Sequence, residues 1–349
     1  VSLRVRRADL GDVGERARIM AFVEGRADAT PFHLPIWGEA TAAGCGQAYR
    51  MLLAEDAGAL VGLVPLTQVR SPLFGAALVS TGFGVGGGVL GEGAAARLLA
   101  EAAVGVAREL GCPTIEMRGG AAIDALGWTF DDSRYLGFVR SLAGDDEAEL
   151  LAIPRKQRAD VRKALAAPFE VAIGRDRAAL AEHFRVYGTS VRNLGTPVFP
   201  RSLFREVVAA FGEDADVLTI RHEERAVASV LSIYWRGAVY PYWGGGTAEA
   251  RGLRANERMY FELMRHARAR GCDRFDFGRS KVGTGPAAYK KNWGFVGEPL
   301  GYPTWTADGA APRDANPLNP KYRLKIAAWQ KLPLVVSNRI GPWIAKGLG

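Results

Sequence analysis

Two runs of apolar-rich residues separated by a tight turn, then a glycine triplet, then a segment with apolar residues three and four apart, occur in that order twice along the chain. In the first half "YRMLLAED" and "ALVGLVPLTQV" read as paired strands joined at "DAG"; in the second, "DVLTIRHE" and "AVASVLSIYWR" are joined at "EER". The glycine triplets are Gly86 to Gly88 and Gly244 to Gly246, and the segments after them, "AAARLLAEAAVGVAREL" and "NERMYFELMRHARAR", have helical periodicity. Each helix stops at a Gly–Cys pair within A-R-x-x-G-C, and a strand with one acid follows, Glu116 or Asp276. Cys112 and Cys272 lie 160 residues apart, so the unit is duplicated. Strand, turn, helix, glycine stop and strand make a parallel crossover, and the paired strands before it are antiparallel. The pattern predicts an α/β (α+β) protein of two like domains, 1–150 and 151–305, each a mixed sheet flanked by helices, with a basic amphipathic helical tail over 306–349.

Composition narrows the class. Apolar residues make up 48% of the 349 and charged residues 23%, as in soluble globular proteins. No window reaches the length of a spanning helix, and "VSLRVRRADLGDVGER" puts charges where a signal peptide needs an apolar stretch. A cytoplasmic protein is expected. Cys45, Cys112 and Cys272 lack metal-ligand spacing and read as buried thiols; four histidines offer neither a triad nor a metal set. His33, among apolar residues in "PFHLPIW", reads as a core histidine. The net charge of +8 is mostly local: six basic residues and no acid follow Ala315. The remainder is near neutral, which speaks against duplex DNA as a partner.

The most specific stretch is "FDFGRS", a glycine-bearing loop, then "YKKNWG", Tyr289 to Gly294. With "PFHLPIWGEA", "RKQRADVRKA" and "SVRNLGTPVFPRSLF", it resembles the FemAB family, the peptidoglycan-bridge aminoacyltransferases, which carry D-F-G followed by F-K-x-x-F-G. The order of elements resembles the GNAT acetyltransferase fold, in tandem, over most of the chain. The tail "NPLNPKYRLKIAAWQKLPLVVSNRIGPWIAKGLG" is similar to the branch that accompanies exosortase (PEP-CTERM) and exopolysaccharide gene clusters. The resemblance implies an N-acyltransferase that moves an acyl or aminoacyl group to an amine of a cell-envelope, peptidoglycan or exopolysaccharide precursor. It implies no tightly bound cofactor, a donor that is acetyl-CoA or another acyl-CoA or an aminoacyl-tRNA, and a nucleotide-linked or lipid-linked glycan precursor as acceptor. Two other readings stand beside it: an acetyl-CoA-dependent N-acetyltransferase acting on an aminosugar, and a non-catalytic tandem-GNAT binding protein in polysaccharide assembly. Neither donor has its full signature. "VLGEGA" lacks the basic residue of the coenzyme A motif Q/R-x-x-G-x-G/A, "EARGLRAN" lacks the spaced glycines, and no long helical hairpin of the kind FemAB enzymes carry fits between Phe204 and Tyr240.

Acyl transfer to an amine needs a deprotonated nucleophile, a donor held in line and donors for the oxyanion. Pro241 in "AVYPYWGGG" cannot donate to a ladder, so it belongs at a bulge, in a split sheet or on an edge strand. Lys290 matches the lysine of F-K and by resemblance stabilises the reacting carbonyl; taken alone it reads as a solvated helix lysine. Asp276 positions or deprotonates the amine if it points into the cleft, and otherwise is a hydrogen-bonded strand carboxylate. Arg279, at a strand end, is an anion clamp or a salt-bridge partner. Tyr289 and Trp293 flank the site or pack the helix, and Tyr242 and Trp243 stack on a base or sugar or fill the core. Arg155, Arg158 and Arg162 share parts of a helical face suited to a diphosphate, or belong to a charged linker helix. Arg192 and Asn193 mark a loop at the acceptor groove. In the tail, Val336, Ile340, Trp343 and Ile344 share a face with Arg339 and Lys346 at its margin. That face predicts peripheral contact with the inner face of a membrane, or a tail packed across the two domains.

Overall fold

The computed structural model describes residues 3–310 and 323–349; Lys321 and the rest of 311–322 in the expected tail lie outside the described residues. Two compact units result. In the first, β1 (Arg4–Arg7), α1 (Val13–Gly25) and α2 (Pro35–Cys45) precede the predicted hairpin, β2 (Ala48–Asp56) and β3 (Ala59–Ser71). β4 (Gly75–Ser80), α3 (Gly93–Glu109) and β5 (Thr114–Met117) make the crossover, with β4 and β5 parallel, and β6 (Trp128–Asp131) follows. One face of α3 buries Leu99, Ala103 and Ala107, four apart, on Leu52, Val64, Leu66, Leu78 and Ile115 of the sheet.

The second unit begins with β7 (Tyr135–Ser141), α4 (Asp146–Ala152), α5 (Arg155–Ala166), β8 (Glu170–Gly174), α6 (Arg177–Leu194) and α7 (Arg201–Phe211). β9 (Ala215–His222) and β10 (Arg225–Trp235) are its hairpin. β11 (Ala238–Gly246), the short α8 (Ala248–Leu253), α9 (Ala255–Ala269) and β12 (Arg274–Lys281) are its crossover. α10 (Gly285–Asn292), β13 (Gly297–Pro299) and β14 (Tyr302–Thr306) complete the repeat, and α11 (Arg323–Lys331) and α12 (Leu334–Ala345) form the tail. Its core gathers Phe138, Phe261, Met264, Phe275, Phe277, Trp293 and Phe295.

Each sheet has seven strands: β1-β2-β3-β4-β5-β14-β6 in the first unit and β13-β7-β12-β11-β10-β9-β8 in the second. The units do not follow the boundaries that the repeat suggested. β7 and most of α4, which fall before residue 150, belong to the second unit, and the segment from Leu300 with β14 belongs to the first. The reason is edge pairing. β5 and β12 each have a parallel neighbour on one side only, and the open edge is covered antiparallel by β14 and by β7 respectively. The tail is also divided, residues up to Pro342 grouping with the second unit and those from Trp343 with the first.

Candidate active site

β11 and β12 share two ladder positions, Ala238 with Arg274 and Val239 with Phe275. Beyond these, both strands carry a bulge. In β11 the register against β10 steps from Leu231–Trp243 to Ser232–Pro241, and Pro241 has no N–H to give. In β12 the register against β7 jumps from Asp276–Val139 to Arg279–Gly137, with Gly278 in the left-handed region at φ +68°. Bulges on two neighbouring strands just past their last shared pair separate them, giving a split parallel pair. A Cβ added at Gly278 would meet nothing within 4 Å, so the split is open there.

Asp276 is the first residue of β12 past the shared ladder. Its carboxylate accepts the Gly278 N–H at 2.8 Å. Burial raises its pKa to about 6, while the Gly278 amide and the charge of Lys290 pull the other way. Lys290, on α10, is 9% exposed. Its ammonium donates to the Gly278 carbonyl at 3.1 Å and the Arg279 carbonyl at 2.9 Å, and lies 5.3 Å from the ring centres of both Phe138 and Phe277. Burial lowers this lysine to about 7, against the pull of Asp276. Three donors belong to an ammonium, and the bulge carbonyls take two. The lysine therefore holds the bulge that carries Asp276, in place of the solvated position its residue type suggests. The Arg279 guanidinium stacks on Tyr135 at 4.6 Å.

Several expected site residues are placed elsewhere. Trp293 is fully buried and packs near Tyr260 and Tyr289, because α10 turns that side inward onto the sheet. Tyr289 is half-buried in the same cluster, its phenol held far above the ordinary value by burial and then by the Glu257 carboxylate. Trp243 is a core aromatic, edge-on to Phe204 at 5.3 Å, with half-buried Tyr242 against it. Arg158 donates to the Leu151 and Ile153 carbonyls, both at 3.0 Å, closing the end of α4; Arg155 and Arg162 stay exposed on α5. Arg192 donates to the Gln330 carbonyl at 2.9 Å and Gln330 donates to the Asn193 carbonyl at 3.0 Å. Both residues lie in the last turn of α6, where a loop was expected, and α11 holds that turn. His33 is a core histidine: Nδ1 accepts the Thr30 N–H, Nε2 donates to the Gly88 carbonyl, and burial lowers its pKa to about 4.

Two contributors were not foreseen. Phe138 lies beneath Lys290 but comes from β7, whose pairing partner is more than a hundred residues away. Glu257, in the first turn of α9, has its carboxyl raised by burial and accepts from Gln157 at 3.4 Å. A glutamate in a first helical turn is commonplace, so nothing in the sequence sets it apart.

The first unit treats the same positions differently. β4 and β5 share three ladder positions, including Val79–Glu116. The Glu116 carboxylate accepts from Arg118 Nε at 2.9 Å, and Arg118, 5% exposed, also reaches the Thr81 and Gly84 carbonyls at 3.4 and 3.3 Å. A cavity of about 470 Å³ opens at the start of α3, between Val89, Glu92, Arg97, Met117, Ile123 and Pro303.

This architecture defines a tandem pair of GNAT-like units. Residues 155–291 match the family model described as an acetyltransferase (GNAT) domain. The fold is shared with FemX, at 16% identity and a TM-score of 0.69, covering 92% of this chain and 99% of that one. A tandem GNAT protein from the clavulanic acid biosynthesis pathway is 14% identical with a TM-score of 0.57, covering 88% and 100%. L-PGS from Bacillus licheniformis is 14% identical with a TM-score of 0.51, covering 91% and 97%. No curated protein matches the sequence.

Proposed function

We propose that the chain is an N-acyltransferase whose chemistry runs at the split between β11 and β12. The observation that carries this is the placement of Asp276, the first residue past the shared ladder, on a bulge whose carbonyls are held by buried Lys290; burial raises the carboxyl to about 6 and lowers the lysine to about 7. At neutral pH the carboxylate takes a proton from the acceptor ammonium. The amine nitrogen then attacks the acyl carbonyl carbon, the C–N bond forms, and the C–S or C–O bond to the carrier breaks. The nitrogen's second proton leaves with the carrier. Lys290 fixes the bulge and lends its positive charge to the carbonyl oxygen as that becomes an oxyanion.

The donor is an acyl thioester of coenzyme A, the general donor of the GNAT fold, or an aminoacyl ester of tRNA. The acceptor is an amine on a nucleotide-linked or lipid-linked precursor of peptidoglycan or another envelope glycan on the cytoplasmic side, a reading supported by the FemAB-like stretches "FDFGRS" and "YKKNWG". Exposed Arg155 and Arg162 suit its anionic part. A second reading puts the donor in the first unit, favoured by the cavity at the start of α3.

Thermal unfolding with increasing acetyl-CoA tests donor and location together, since a ligand at a hundred times its Kd stabilises by about 2.7 kcal/mol. A saturable rise left intact by Ala122→Trp, a change in the lining of the first-unit cavity, with transfer to glucosamine lost in Asp276→Asn, supports the second-unit reading. A rise abolished by Ala122→Trp moves the donor to the first unit. No rise with acetyl-CoA, together with acylation from aminoacyl-tRNA, selects the ester donor. Failure with both donors leaves the non-catalytic binding protein.

A further inference from the structure

α12 turns its small residues inward and its large apolar ones outward. Ser337, Gly341 and Ala345, four apart, are buried, and a Cβ at Gly341 would lie 3.1 Å from the Val198 backbone. On the other side Val335 is 81% exposed, Val336 and Ile340 are each 41% exposed, and Trp343 is 49% exposed. Val335, Arg339 and Trp343 follow one another at four-residue steps, with Val336 and Ile340 alongside, so these five share one face. A helix held only by its own domain does the reverse. α11 has the same habit: Ile326 packs on Gly195 while Leu324 is 81% exposed beside Lys325.

Charge decides what covers this face. Residues 323–349 contain five basic residues, Arg323, Lys325, Lys331, Arg339 and Lys346, and no acid. A second copy of the chain meeting it across a two-fold axis would set these like charges against each other. Among the described residues no helix is long and apolar enough to cross a membrane. An apolar face with a tryptophan and a basic margin, on a helix too short to span, matches the boundary between headgroups and acyl chains.

We propose that the outer faces of α11 and α12 dock on an anionic lipid surface, Val336, Ile340 and Trp343 entering the headgroup boundary and Lys325, Lys331 and Arg339 meeting lipid phosphates. This stands whether or not the transfer reading holds. The test is co-sedimentation of the full chain with phosphatidylcholine vesicles, with and without phosphatidylglycerol, at low and high salt. Binding is expected only to the anionic vesicles, weakened by salt. Arg339→Ala should lower the partition about fivefold. Val336→Asp with Ile340→Asp should abolish binding without shifting the melting temperature, since both side chains are already exposed. Equal binding to both vesicle types, or to neither, overturns the proposal. So does a dimer in sedimentation equilibrium that the double variant dissociates, which would give the face to a second copy.

Discussion

The two copies begin alike and part at one position. Each places an acid on the strand after its crossover helix, Glu116 in the first unit and Asp276 in the second. Two residues further on, the first copy has Arg118 and the second Gly278. Arg118 pairs with its acid and ties the Thr81 and Gly84 carbonyls, so in the first unit the acid is engaged by a neighbour on its own strand. Gly278 permits a left-handed bulge, leaves open space above it, and lets a lysine from a separate helix approach the acid. The same kind of sheet thus carries an acid tied to an arginine in one copy and, in the other, a carboxyl raised and a lysine lowered by burial. Fold alone does not separate these; the residue two places past the acid does.

The largest effect should fall on the second copy. Asp276→Asn is expected to lower turnover by about a hundred- to ten-thousand-fold with little change in stability, because an amide oxygen still accepts the Gly278 N–H but takes no proton from the amine. Lys290→Met should lose turnover and also stability, since the Gly278 and Arg279 carbonyls lose their donor. Glu116→Gln should leave turnover intact. Equal losses from Glu116→Gln and Asp276→Asn, in steady-state rates, would end the distinction between scaffold and site.

In the first copy the effect should appear as stability. Arg118→Ala removes a buried guanidinium that pairs with half-exposed Glu116 and donates to the Thr81 and Gly84 carbonyls, and should cost about 1–3 kcal/mol. Urea unfolding measures it. Turnover per folded molecule should not change, and a loss of turnover in fully folded Arg118→Ala would mean that the first split takes part in catalysis.

Titration separates the copies at slightly smaller cost. Turnover should rise with pH through about 6 as Asp276 ionises and fall above about 7 as Lys290 loses its charge. For stability, its folded pKa lies above the unfolded value of 3.8, so that group's contribution declines as pH rises from about 4 to 6. The buried histidines act with opposite sign. His33 in the first unit and His183 in the second are lowered by burial to about 4 and about 3 from 6.5. The unfolded chain takes up their protons first, so stability is lost as pH falls below 6.5, on the order of 3 kcal/mol for His33 by pH 4. His183→Asn should flatten the acid limb of a melting curve against pH. An unchanged limb would show that these imidazoles do not drive acid unfolding.

Local pattern made much of this legible. The hairpins, the crossover helices and the duplication could be read from apolar spacing and the two Gly–Cys stops, since these depend on neighbours in sequence. Pro241 marked its bulge because a missing N–H is visible in the sequence. The exchange of β7 and β14 was not legible: a strand that completes a distant sheet looks like any other strand, and its pairing is set by which edge is left open. The inward turn of Trp293 and Trp243 was ambiguous for the same reason that helical and strand spacing report a periodic face without saying which face is core. Nor does the sequence say that Arg158, among three like arginines, meets the backbone carbonyls of α4.

Those three arginines supply the smallest and most discriminating test of the second copy as the catalytic one. Arg158 closes a helix end, so Arg158→Ala should cost about 1 kcal/mol of stability through two lost hydrogen bonds to carbonyls. Arg155 and Arg162 are exposed, and their replacement by alanine should move stability by less than about 0.5 kcal/mol. If they hold the anionic part of the acceptor, the double variant Arg155→Ala with Arg162→Ala should raise KM for a phosphorylated acceptor with kcat unchanged, because binding of a group remote from the reacting carbonyl is the same in ground and transition states. The effect should shrink with added salt and vanish for an acceptor without phosphate. A fall in kcat instead, at constant KM, would place these guanidiniums at the reacting carbonyl and not at the acceptor's anion.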